Sequence, residues 1–348
     1  FRLSEQSRSS KVFERVVERI TMRVVILGGA GFLGKKLASA LLARGYLGDL
    51  DGKQRSISKL TLFDEVAPSS SLLQDSRLEI TTGDITDLQT IQLLLSKKPD
   101  IIFHLAAVVS GEAEENFELG MKVNLQATQT ILEVCRALNY APKFLFSSSV
   151  AVFGGVMPNI IQDDTAPFPQ SSYGTQKAIA ELLINDYSRR GFVDGRVLRL
   201  PTIVVRPGKP NKATSSFASS IIREPLQGRE AFCPISKETR LWIMSPRKAM
   251  TNFIHAAELP AESFGKHRTV SLPGLTVSVE EMIESLEGVA GREVVSKISW
   301  QSDAFIQKIV GSWPSAFAPK RALALGFQAD NSMTEIIQAF INDDLEKA

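Results

Sequence analysis

The chain has 348 residues, of which 44% are hydrophobic and 22% charged. This composition is typical of a globular protein, and the length is sufficient for one large domain or two modest ones. The formal net charge of +2 argues against a dedicated nucleic-acid or anionic-membrane binder, because such proteins carry a concentrated basic excess. No apolar run is long enough to span a bilayer. We therefore expect neither nucleic acid nor membrane as a partner.

The cysteines and histidines are too scattered to suggest a metal site. Cys135 and Cys233 have neither metal-ligand nor disulfide spacing, which indicates a reducing, cytoplasmic setting. His104, His255 and His267 form no ligand pattern either, so we expect no metal. His104 falls inside a predicted strand, where a core histidine is the preferred interpretation over a catalytic one.

Residues 1–21, "FRLSEQSRSSKVFERVVERIT", precede the methionine that opens the first strand pattern. The segment contains three glutamates and no apolar signal core, so we do not interpret it as a secretory peptide. We expect an N-terminal extension here, with a transit peptide as the alternative.

From residue 23 to residue 206, short β-branched runs alternate with longer helical patterns. The strand-like runs are "RVVIL", "KLTLFD", "LEITTGD", "DIIFHLA", "KFLFSSS" and "GRVLRLPTIV". Helices are predicted from about Gly31 to Arg44, over "DLQTIQLLLSKK", from about 116 to 139, and around "SSYGTQKAIAELL". Continuous apolar strands separated by helices predict a doubly wound α/β fold, in which a parallel Rossmann sheet is covered on both faces.

After Arg206 the pattern changes to loops, short helices and isolated strands. "RPGKPNKATSS" is rich in proline and cations, and a serine-capped helix is predicted over about 278–288. We therefore predict an extension over 1–21, a sheet domain over 22–206 and a smaller C-terminal lobe over 207–348.

A glycine-rich turn follows the first predicted strand. "VVILGGAGFLGKKLASALL" places Gly28, Gly31 and Gly34 between strand and helix, with Phe32 and Leu33 at the helix start. Glycine permits the tight turn and lets the backbone approach a pyrophosphate, which then meets unpaired amides of the helix. The spacing G-x-x-G-x-x-G in this context predicts dinucleotide binding, and a merely tight turn is the alternative.

The second strand ends at Asp64, where a carboxylate can accept hydrogen bonds from an adenosine ribose. Asp64 lies 30 residues after Gly34, and the extra length fits a polar loop, "GYLGDLDGKQRSIS". A carboxylate repels a 2'-phosphate, so NAD is favoured over NADP. The alternative is that Asp64 merely ends a strand.

Two further strand ends supply candidate cofactor contacts. "GDITD" ends the third strand and places Asp84 and Ile85 near a possible adenine. "FHLAA" ends the fourth strand and places Leu105, Ala106 and Ala107 under the ribose and pyrophosphate. Small residues suit a backbone that a ligand must touch.

The fifth strand ends in three serines, and Tyr173 follows Ser149 on the next helix with Lys177 one turn beyond. Oxidation of an alcohol needs a base, and a free tyrosine, with a pKa of about 10, is too weak at neutral pH. A nearby ammonium group such as that of Lys177 stabilises the phenolate, and Ser149 can hold the substrate oxygen. Alternatively, tyrosine and lysine are surface neighbours and the serines cap strand ends.

The chain resembles the extended short-chain dehydrogenase/reductases, the NAD-dependent epimerase/dehydratase family, over residues 22–330. The resemblance lies in an ordered set of motifs, which are "GGAGFLG", "GDITD", "HLAA", "FSSSVAVFG", Y-x-x-x-K and "LRLPTIVVRPG". The resemblance implies that the sheet domain binds NAD and that the smaller lobe mainly binds substrate. It also implies roles for individual residues, which are Ser149, Tyr173 and Lys177 in catalysis, and Asn124, Ser147, Tyr173, Lys177, Pro201 and Thr202 at the cofactor.

Two departures from the family pattern bear on the substrate. Phe153 stands where many members carry tyrosine, and "TIVVRPG" lacks the asparagine and tyrosine that are common in sugar-nucleotide epimerases. Both departures weaken a nucleotide-sugar assignment. A narrower resemblance of "RLPTIVVRPGKPNKATSSFASSIIREPL" to one branch of the family implies oxidation of a small sugar acid at its C2 hydroxyl.

A small carboxylate needs a cation, and several lie in loops expected to face the cleft. The predicted substrate residues are Ser148, Ser149, Arg206, Asn211, Ser215 and Arg247. The alternative for these cations is a solvated surface. At the level of function, the alternatives are a nucleotide-sugar epimerase or dehydratase that regenerates its NAD, and a non-catalytic NAD-sensing protein. A homodimer through the helices around 116–139 and 173–190 is possible.

Overall fold

The computed structural model describes residues 21–48, 53–68 and 74–345. The predicted N-terminal extension, up to residue 20, lies outside the described residues. The first half of the chain alternates strands with helices. In chain order these are β1 (Thr21–Leu27), α1 (Phe32–Arg44), β2 (Tyr46–Gly48), β3 (Gln54–Asp64), β4 (Leu78–Thr82), α2 (Leu88–Ser96), β5 (Ile101–His104), α3 (Ser110–Glu115), α4 (Phe117–Gly120), a π-helical segment (Met121–Gln126), α5 (Ala127–Ala137), β6 (Lys143–Ser149), β7 (Ile161–Gln162), α6 (Ser172–Arg189) and β8 (Asp194–Leu200).

The second half has shorter elements. They are β9 (Thr202–Ile203), α7 (Ser216–Leu226), β10 (Ala231–Cys233), β11 (Arg240–Met244), α8 (Pro246–Glu258), β12 (Thr269–Ser271), β13 (Leu275–Ser278), α9 (Val279–Ala290), α10 (Arg292–Val295), β14 (Ile298–Trp300), α11 (Ala304–Gly311), β15 (Phe317–Ala318), α12 (Lys320–Ala324) and α13 (Met333–Asp343). Short 3₁₀ turns lie at Val150–Val152 and Ala261–Phe264.

The main sheet runs in the order β12, β8, β6, β5, β1, β3, and β3 pairs on its outer side with β4 and with β2. All of these pairings are parallel except that of β2 with β3. Helices α1 and α8 contribute to the core on one face, and α2, α5 and α6 to the core on the other. The predicted doubly wound α/β fold is therefore confirmed.

The central strand β1 shows why its sequence is apolar from Val24 onward. Val24 and Ile26 belong to the core on one face, whereas Val25 and Leu27 belong to the core on the other. Successive side chains of a strand point to opposite faces, so a strand covered on both sides has no polar face.

Two elements differ from the sequence prediction. The polar loop predicted over "GYLGDLDGKQRSIS" is in part an antiparallel hairpin, in which Tyr46 pairs with Ser56 and Gly48 with Gln54. The stretch is polar because this edge of the sheet is solvated, and Ile57 is the buried position between exposed Ser56 and Ser58. The continuous helix predicted around 116–139 is divided into α4, the π-helical segment and α5.

The smaller lobe has its own core, formed mainly by α7, β11, α9 and α13. However, the chain returns to the main sheet between two passages through this lobe. Helix α8 packs on α1, and β12 pairs with β8, with Thr269 opposite Val197. The lobe predicted over 207–348 is thus interrupted by residues 246–271. Within the described ranges, none of the helices combines the length and apolarity needed to cross a membrane.

Candidate active site

The glycine turn brings three strands together at the carboxyl edge of the sheet. Gly28 has φ +85°, and its amide donates to the Phe63 carbonyl at 2.9 Å. A Cβ on Gly28 would lie 2.6 Å from the Ala106 nitrogen. The amides of Leu105 and Ala106 both donate to the Leu27 carbonyl at 2.9 Å. Only glycine fits at position 28, because both the backbone conformation and the available space exclude a side chain.

The start of α1 is open to a ligand. Its N-cap, Gly31, provides no side-chain cap, and the first turn, which begins with Phe32 and Leu33, contains no acidic residue. By contrast, Asp87 caps α2 and Ser171 caps α6. Unpaired amides at a helix start bind phosphate groups. This uncapped end therefore fits the pyrophosphate of a dinucleotide.

Asp64 lies beside this turn. One carboxylate oxygen accepts from the Ala30 amide and the other from the Glu65 amide, both at 2.8 Å. The Gly83 amide donates to the Asp64 carbonyl at 3.0 Å and brings the end of β4 alongside. There, the Asp84 carboxylate accepts from the backbone and side chain of Thr86, and these hydrogen bonds lower its pKa.

The remaining predicted contacts to an adenosine lie along the same edge. Ile85, after Asp84, is partly buried against the core that covers one face of the sheet. Ala107 is exposed at the end of the segment that follows β5. Position and exposure are thus compatible with the predicted adenine and ribose contacts, which stay predictions.

His104 occupies the packing position predicted from the sequence. Its ring is completely buried, with ring centres 5.9 Å from Phe144 and 5.4 Å from Phe146. Its Nε2 is 2.9 Å from the Thr128 hydroxyl. Burial lowers the pKa of His104 to about 3, and the charge of Lys177 contributes. The imidazole is therefore neutral at physiological pH.

The three predicted catalytic side chains lie together. Ser149 ends β6, and its hydroxyl is close enough to the Tyr173 side chain to lower the pKa of the phenol. Lys177 donates to the Ser147 carbonyl at 2.9 Å, and its ammonium nitrogen is 5.6 Å from the centre of the Tyr173 ring. A Cβ on Gly174 would lie 2.1 Å from the Ala151 carbonyl oxygen. The glycine after the tyrosine thus allows α6 to approach the serine strand, a signal that the sequence analysis missed.

The electrostatics of this group differ from the expectation. Burial raises the pKa of Tyr173 to about 12, opposed by the charge of Arg206 and by the hydrogen bond to Ser149. The charge of Arg206 therefore acts on the phenol, a contribution that was not predicted. The effect predicted for Lys177, whose ammonium nitrogen lies near the same ring, stays a prediction. Burial lowers the pKa of Lys177 to about 7, opposed by the negative charge of Glu181.

Asn124 connects the cofactor edge to the catalytic helix from within the π-helical segment. Its carbonyl oxygen accepts from the Val108 amide at 2.9 Å, and its amide nitrogen donates to the Val108 carbonyl at 3.1 Å. The same nitrogen donates to Gln176 at 2.8 Å. Because Gln176 precedes Lys177, these bonds hold the strand end and the lysine in register.

Pro201 is buried and lies between β8 and the short strand β9, which begins at Thr202. A Cβ on Gly274 would lie 3.1 Å from the Pro201 ring and 3.0 Å from the Trp242 ring. Trp242 stacks on Phe317 with ring centres 5.0 Å apart. Gly274 therefore allows close packing beside both Pro201 and Trp242.

Three of the predicted substrate residues lie in the loop between β9 and α7 or at its edges. Arg206 donates to the Ile203 carbonyl at 3.0 Å and to the Ser215 hydroxyl. Asn211 is exposed, and its side chain accepts from the Ala213 amide at 3.0 Å. The loop also meets Ser110, whose hydroxyl accepts from the Thr214 amide at 3.3 Å.

Ser110 was not predicted as a site residue, although the sequence contains a signal for it. The residue closely follows the "HLAA" strand end, and strand ends on the carboxyl side are where open α/β sheets bind ligands. The adjacent Gly111 allows the loop to approach, since a Cβ there would lie 2.0 Å from the Lys212 carbonyl oxygen.

The structure does not bring Ser148 and Arg247 to this group. Ser148 is buried, and its hydroxyl donates to Glu181 at 2.5 Å. Arg247 forms an ion pair with Asp343 of α13 at 2.6 Å. The substrate role predicted for these two residues is corrected, because both side chains are engaged in contacts away from Tyr173.

The fold and this edge of the sheet define a class of nucleotide-dependent oxidoreductase. Residues 24–259 match the model of the NAD dependent epimerase/dehydratase family. The chain belongs to this family, which confirms the resemblance to extended short-chain dehydrogenase/reductases. NAD as cofactor and the assignment as an NAD-dependent dehydrogenase are likewise confirmed.

The relatives narrow the comparison. The chain is 55% identical over 322 residues to D-erythronate dehydrogenase of Cupriavidus necator, covering 92% of this chain and 98% of that protein. It is 48% identical to D-erythronate dehydrogenase of Haemophilus influenzae, covering 93% and 100%. Among solved structures, it is similar to one described as the nucleoside-diphosphate-sugar epimerase from Agrobacterium tumefaciens, with a TM-score of 0.88, 42% identity, and coverage of 94% and 96%.

Proposed function

We propose that this chain oxidises a small sugar acid of the D-erythronate type at its C2 hydroxyl to a 2-oxo acid. The single observation that carries the proposal is the grouping of Ser149, Tyr173 and Lys177 with a partly buried cation, Arg206, at the carboxyl edge of the sheet. The names of the two curated relatives support the substrate class.

The residues present fit NAD. The uncapped start of α1, at Gly31, Phe32 and Leu33, would hold the pyrophosphate. Asp64 would accept hydrogen bonds from the adenosine ribose, and Lys177 would donate to the nicotinamide ribose. When bound, oxidised NAD supplies the hydride acceptor and an additional positive charge.

The side chains of this protein would handle the proton. Ser149 donates to the substrate oxygen and holds C2 in place. As the C2–H bond breaks with its electron pair leaving as hydride, the O–H bond breaks, its proton moves to the Tyr173 phenolate oxygen, and the C2=O double bond forms. The pKa of Tyr173 stands at about 12 without ligands. Acting as a base at neutral pH therefore requires the positive charges around it.

The test is Tyr173→Phe, assayed by NADH formation from D-erythronate and longer aldonic acids, with NADP in parallel. We expect kcat to fall by about a thousandfold or more, while NADH binding, measured by fluorescence titration, changes little. The matched control is Tyr187→Phe, which makes the same change on the same helix. Near-normal turnover by Tyr173→Phe would show that another group is the base.

A nucleotide-sugar epimerase or dehydratase is the second candidate, favoured by the description of the solved relative from Agrobacterium tumefaciens. Such an enzyme converts its substrate without net formation of NADH. Conversion of a nucleotide-linked sugar at constant NADH absorbance, together with no oxidation of any sugar acid, would select it.

Pairing of two copies and a cytoplasmic location stay predictions. Leu182 on α6 is 72% exposed and lies on a helix that we expect at a dimer interface. Measurement of the molecular mass in solution, with Leu182→Glu as the variant, tests the pairing.

A further inference from the structure

The most buried arginines of this protein have carboxylate partners. Their ion pairs are Arg196 with Asp194 at 2.6 Å, Arg199 with Glu181 at 2.7 Å, and Arg223 with Glu224 at 2.6 Å. A buried guanidinium without such a partner carries an uncompensated desolvation cost. Arg206 is partly buried, and its burial is sufficient to lower its pKa. Yet none of the ion pairs among residues 21–48, 53–68 and 74–345 includes it.

The guanidinium of Arg206 is held in place without being saturated. Its Nε donates to the Ile203 carbonyl at 3.0 Å, and its Nη2 donates to the Ser215 hydroxyl. The Arg206 backbone is fixed as well, because its amide donates to Ser219 at 3.0 Å and its carbonyl accepts from Arg223 at 2.6 Å. Within the described part of the chain, Nη1 makes no hydrogen bond. A fixed planar fork with unused donors is the arrangement that binds carboxylates.

Arg321, which is also half-buried, does not have unused guanidinium donors. Both of its terminal nitrogens donate to backbone carbonyls, with Nη1 bonded to Thr269 and Nη2 to Phe264 and His267. Arg321 is therefore a structural arginine whose donors are used. The free donors of Arg206 need a different explanation.

The surroundings of Arg206 favour an anion further. Helix α7 begins beside it, and the hydroxyl of its N-cap Ser215 accepts from Arg206 and makes no side-chain cap to the helix. The first turn of α7 contains no acidic residue. The guanidinium and the positive end of the helix dipole thus act in the same place.

The position relative to Tyr173 restricts which anion fits. Arg206 and Tyr173 are close enough to interact electrostatically. In a 2-hydroxy acid the carboxylate carbon is bonded directly to the carbon that is oxidised, so its receptor must lie beside the base. The exposed Lys212 pairs with Glu115, and Arg247 pairs with Asp343, so neither is available there.

We propose that Arg206 is the carboxylate receptor of this enzyme and the residue that makes it select acids over neutral alcohols. This inference rests on the proposed function, since it names the group that recognises the acid in that same site. It also accounts for oxidation at C2 rather than further along the chain, because only the carbon next to the carboxylate reaches Tyr173 when the acid is held at Arg206.

The first experiment compares D-erythronate with its uncharged counterpart, the tetritol erythritol, in the NAD-loaded enzyme. For Arg206→Gln we expect kcat/KM for the acid to fall by about 100-fold, because a charge-assisted pair is lost. The loss appears mainly as a higher KM. Because the charge of Arg206 also acts on Tyr173, kcat/KM for erythritol falls as well, but the ratio of kcat/KM for the acid to that for erythritol falls by at least about tenfold. Arg206→Lys retains part of the acid preference. Arg247→Gln, which removes an equally charged side chain elsewhere, retains all of it.

Ser215→Ala is a second variant that tests the same site without removing the charge. It keeps the Arg206 guanidinium and removes one of the two hydrogen bonds that hold it. We expect an intermediate rise of KM for the acid and unchanged NADH binding. If instead Arg206→Gln lowers kcat/KM for acid and tetritol by the same factor, so that the acid preference is unchanged, Arg206 acts only through Tyr173 and the proposal is wrong.

A binding measurement separates this inference from the proposed reaction. D-erythronate is titrated into the enzyme–NADH complex, where no oxidation can occur, for the wild type and Arg206→Gln. If the wild type binds the acid and Arg206→Gln does not, the assignment of Arg206 as the carboxylate receptor is supported even where no oxidation is found. If the wild type oxidises the acid and Arg206→Gln keeps the acid preference, the proposed reaction is supported and the assignment of Arg206 as receptor is wrong.

Discussion

Glu181 lies one helical turn beyond Lys177 on the same buried face of α6. Its carboxylate accepts from Arg199 at 2.9 and 2.7 Å and from Ser148 at 2.5 Å. Its negative charge opposes the effect of burial on the pKa of Lys177, which stands at about 7. The charge of Lys177 therefore depends on a buried carboxylate whose hydrogen bonds go to Arg199 and Ser148.

Replacement of Glu181 by glutamine should change the pH dependence of catalysis. Without the carboxylate, burial lowers the pKa of Lys177 below 7, so the ammonium group is lost at lower pH. We expect the pH above which kcat/KM declines to move downward and kcat/KM at pH 8 to fall about tenfold. The measurement is the pH profile of kcat/KM with the sugar acid. A profile that is lower but unshifted would contradict this role.

The same change also affects stability, and a second variant separates the two effects. Glu181→Gln leaves Arg199 buried without its partner, at a cost of about 3 kcal/mol. In Glu181→Gln/Arg199→Met the unpaired charge is removed, so urea unfolding should show recovered stability. The shifted pH profile should remain. Recovery of the profile together with stability would mean that Glu181 acts only through the fold.

The glycines of the first turn should separate folding from cofactor binding. A Cβ on Gly34 would lie 2.2 Å from the Gly28 carbonyl oxygen, whereas on Gly31 it would meet only that oxygen, at 3.3 Å, among the described residues. We expect Gly34→Ala to lower the free energy of unfolding by about 2 kcal/mol or more. Gly31→Ala should fold with a loss below about 1 kcal/mol but bind NAD at least tenfold more weakly. Urea unfolding and NADH fluorescence titration measure the two quantities.

Equal effects of the two alanine variants on stability would contradict this division of roles. Unchanged NAD affinity in Gly31→Ala would show that the pyrophosphate does not approach the start of α1. Either result would revise the cofactor site without affecting the catalytic group.

His104 should make folding stability fall as the solution becomes acidic. Its pKa is about 3 in the folded protein, against 6.5 for the ordinary side chain. Between these values the unfolded chain binds the proton and the folded protein does not, so stability is present above pH 6.5 and decreases as the pH falls. This linkage contributes about 2 kcal/mol between pH 7 and pH 5.

The comparison variant is His104→Leu, which cannot titrate. Urea unfolding at pH 7 and pH 5 should show a loss in the wild type that exceeds the loss in His104→Leu by that amount. Identical losses would mean that burial does not lower the pKa of His104 in the folded protein. Activity gives an independent readout, since a packing residue should not change the shape of the kcat pH profile.

The strands, the glycine turn and the Tyr173–Lys177 pair were predictable because they depend on neighbouring residues. Alternation in a strand and the i, i+4 spacing of a helix need no knowledge of the rest of the chain. The short strands β2 and β12 were not predicted, since three residues carry no periodicity. They exist because β3 and β8 present unpaired edges to them.

The choice among similar side chains at the site depended on distant segments. Ser148 and Ser149 are adjacent in β6, so their side chains point in opposite directions. Which of the two faces Tyr173 depends on how α6 packs against β6, and the local sequence does not contain this information. Arg206 and Arg247 are both cations of the second half. Asp343 of the last helix forms an ion pair with Arg247, and no local sequence pattern predicts this contact.

Because β12 returns to the main sheet, the sheet domain is not encoded by one continuous stretch of the sequence. A fragment that stops near residue 206 would expose the outer edge of β8, with its hydrogen-bonding groups open to aggregation. Recombination at a single breakpoint therefore cannot exchange one specificity for another in this scaffold. A transplant must replace the parts of the smaller lobe on both sides of residues 246–271 together. It must leave in place α8 and β12, and also Ala322 and Phe327, which pack in the same core as α8.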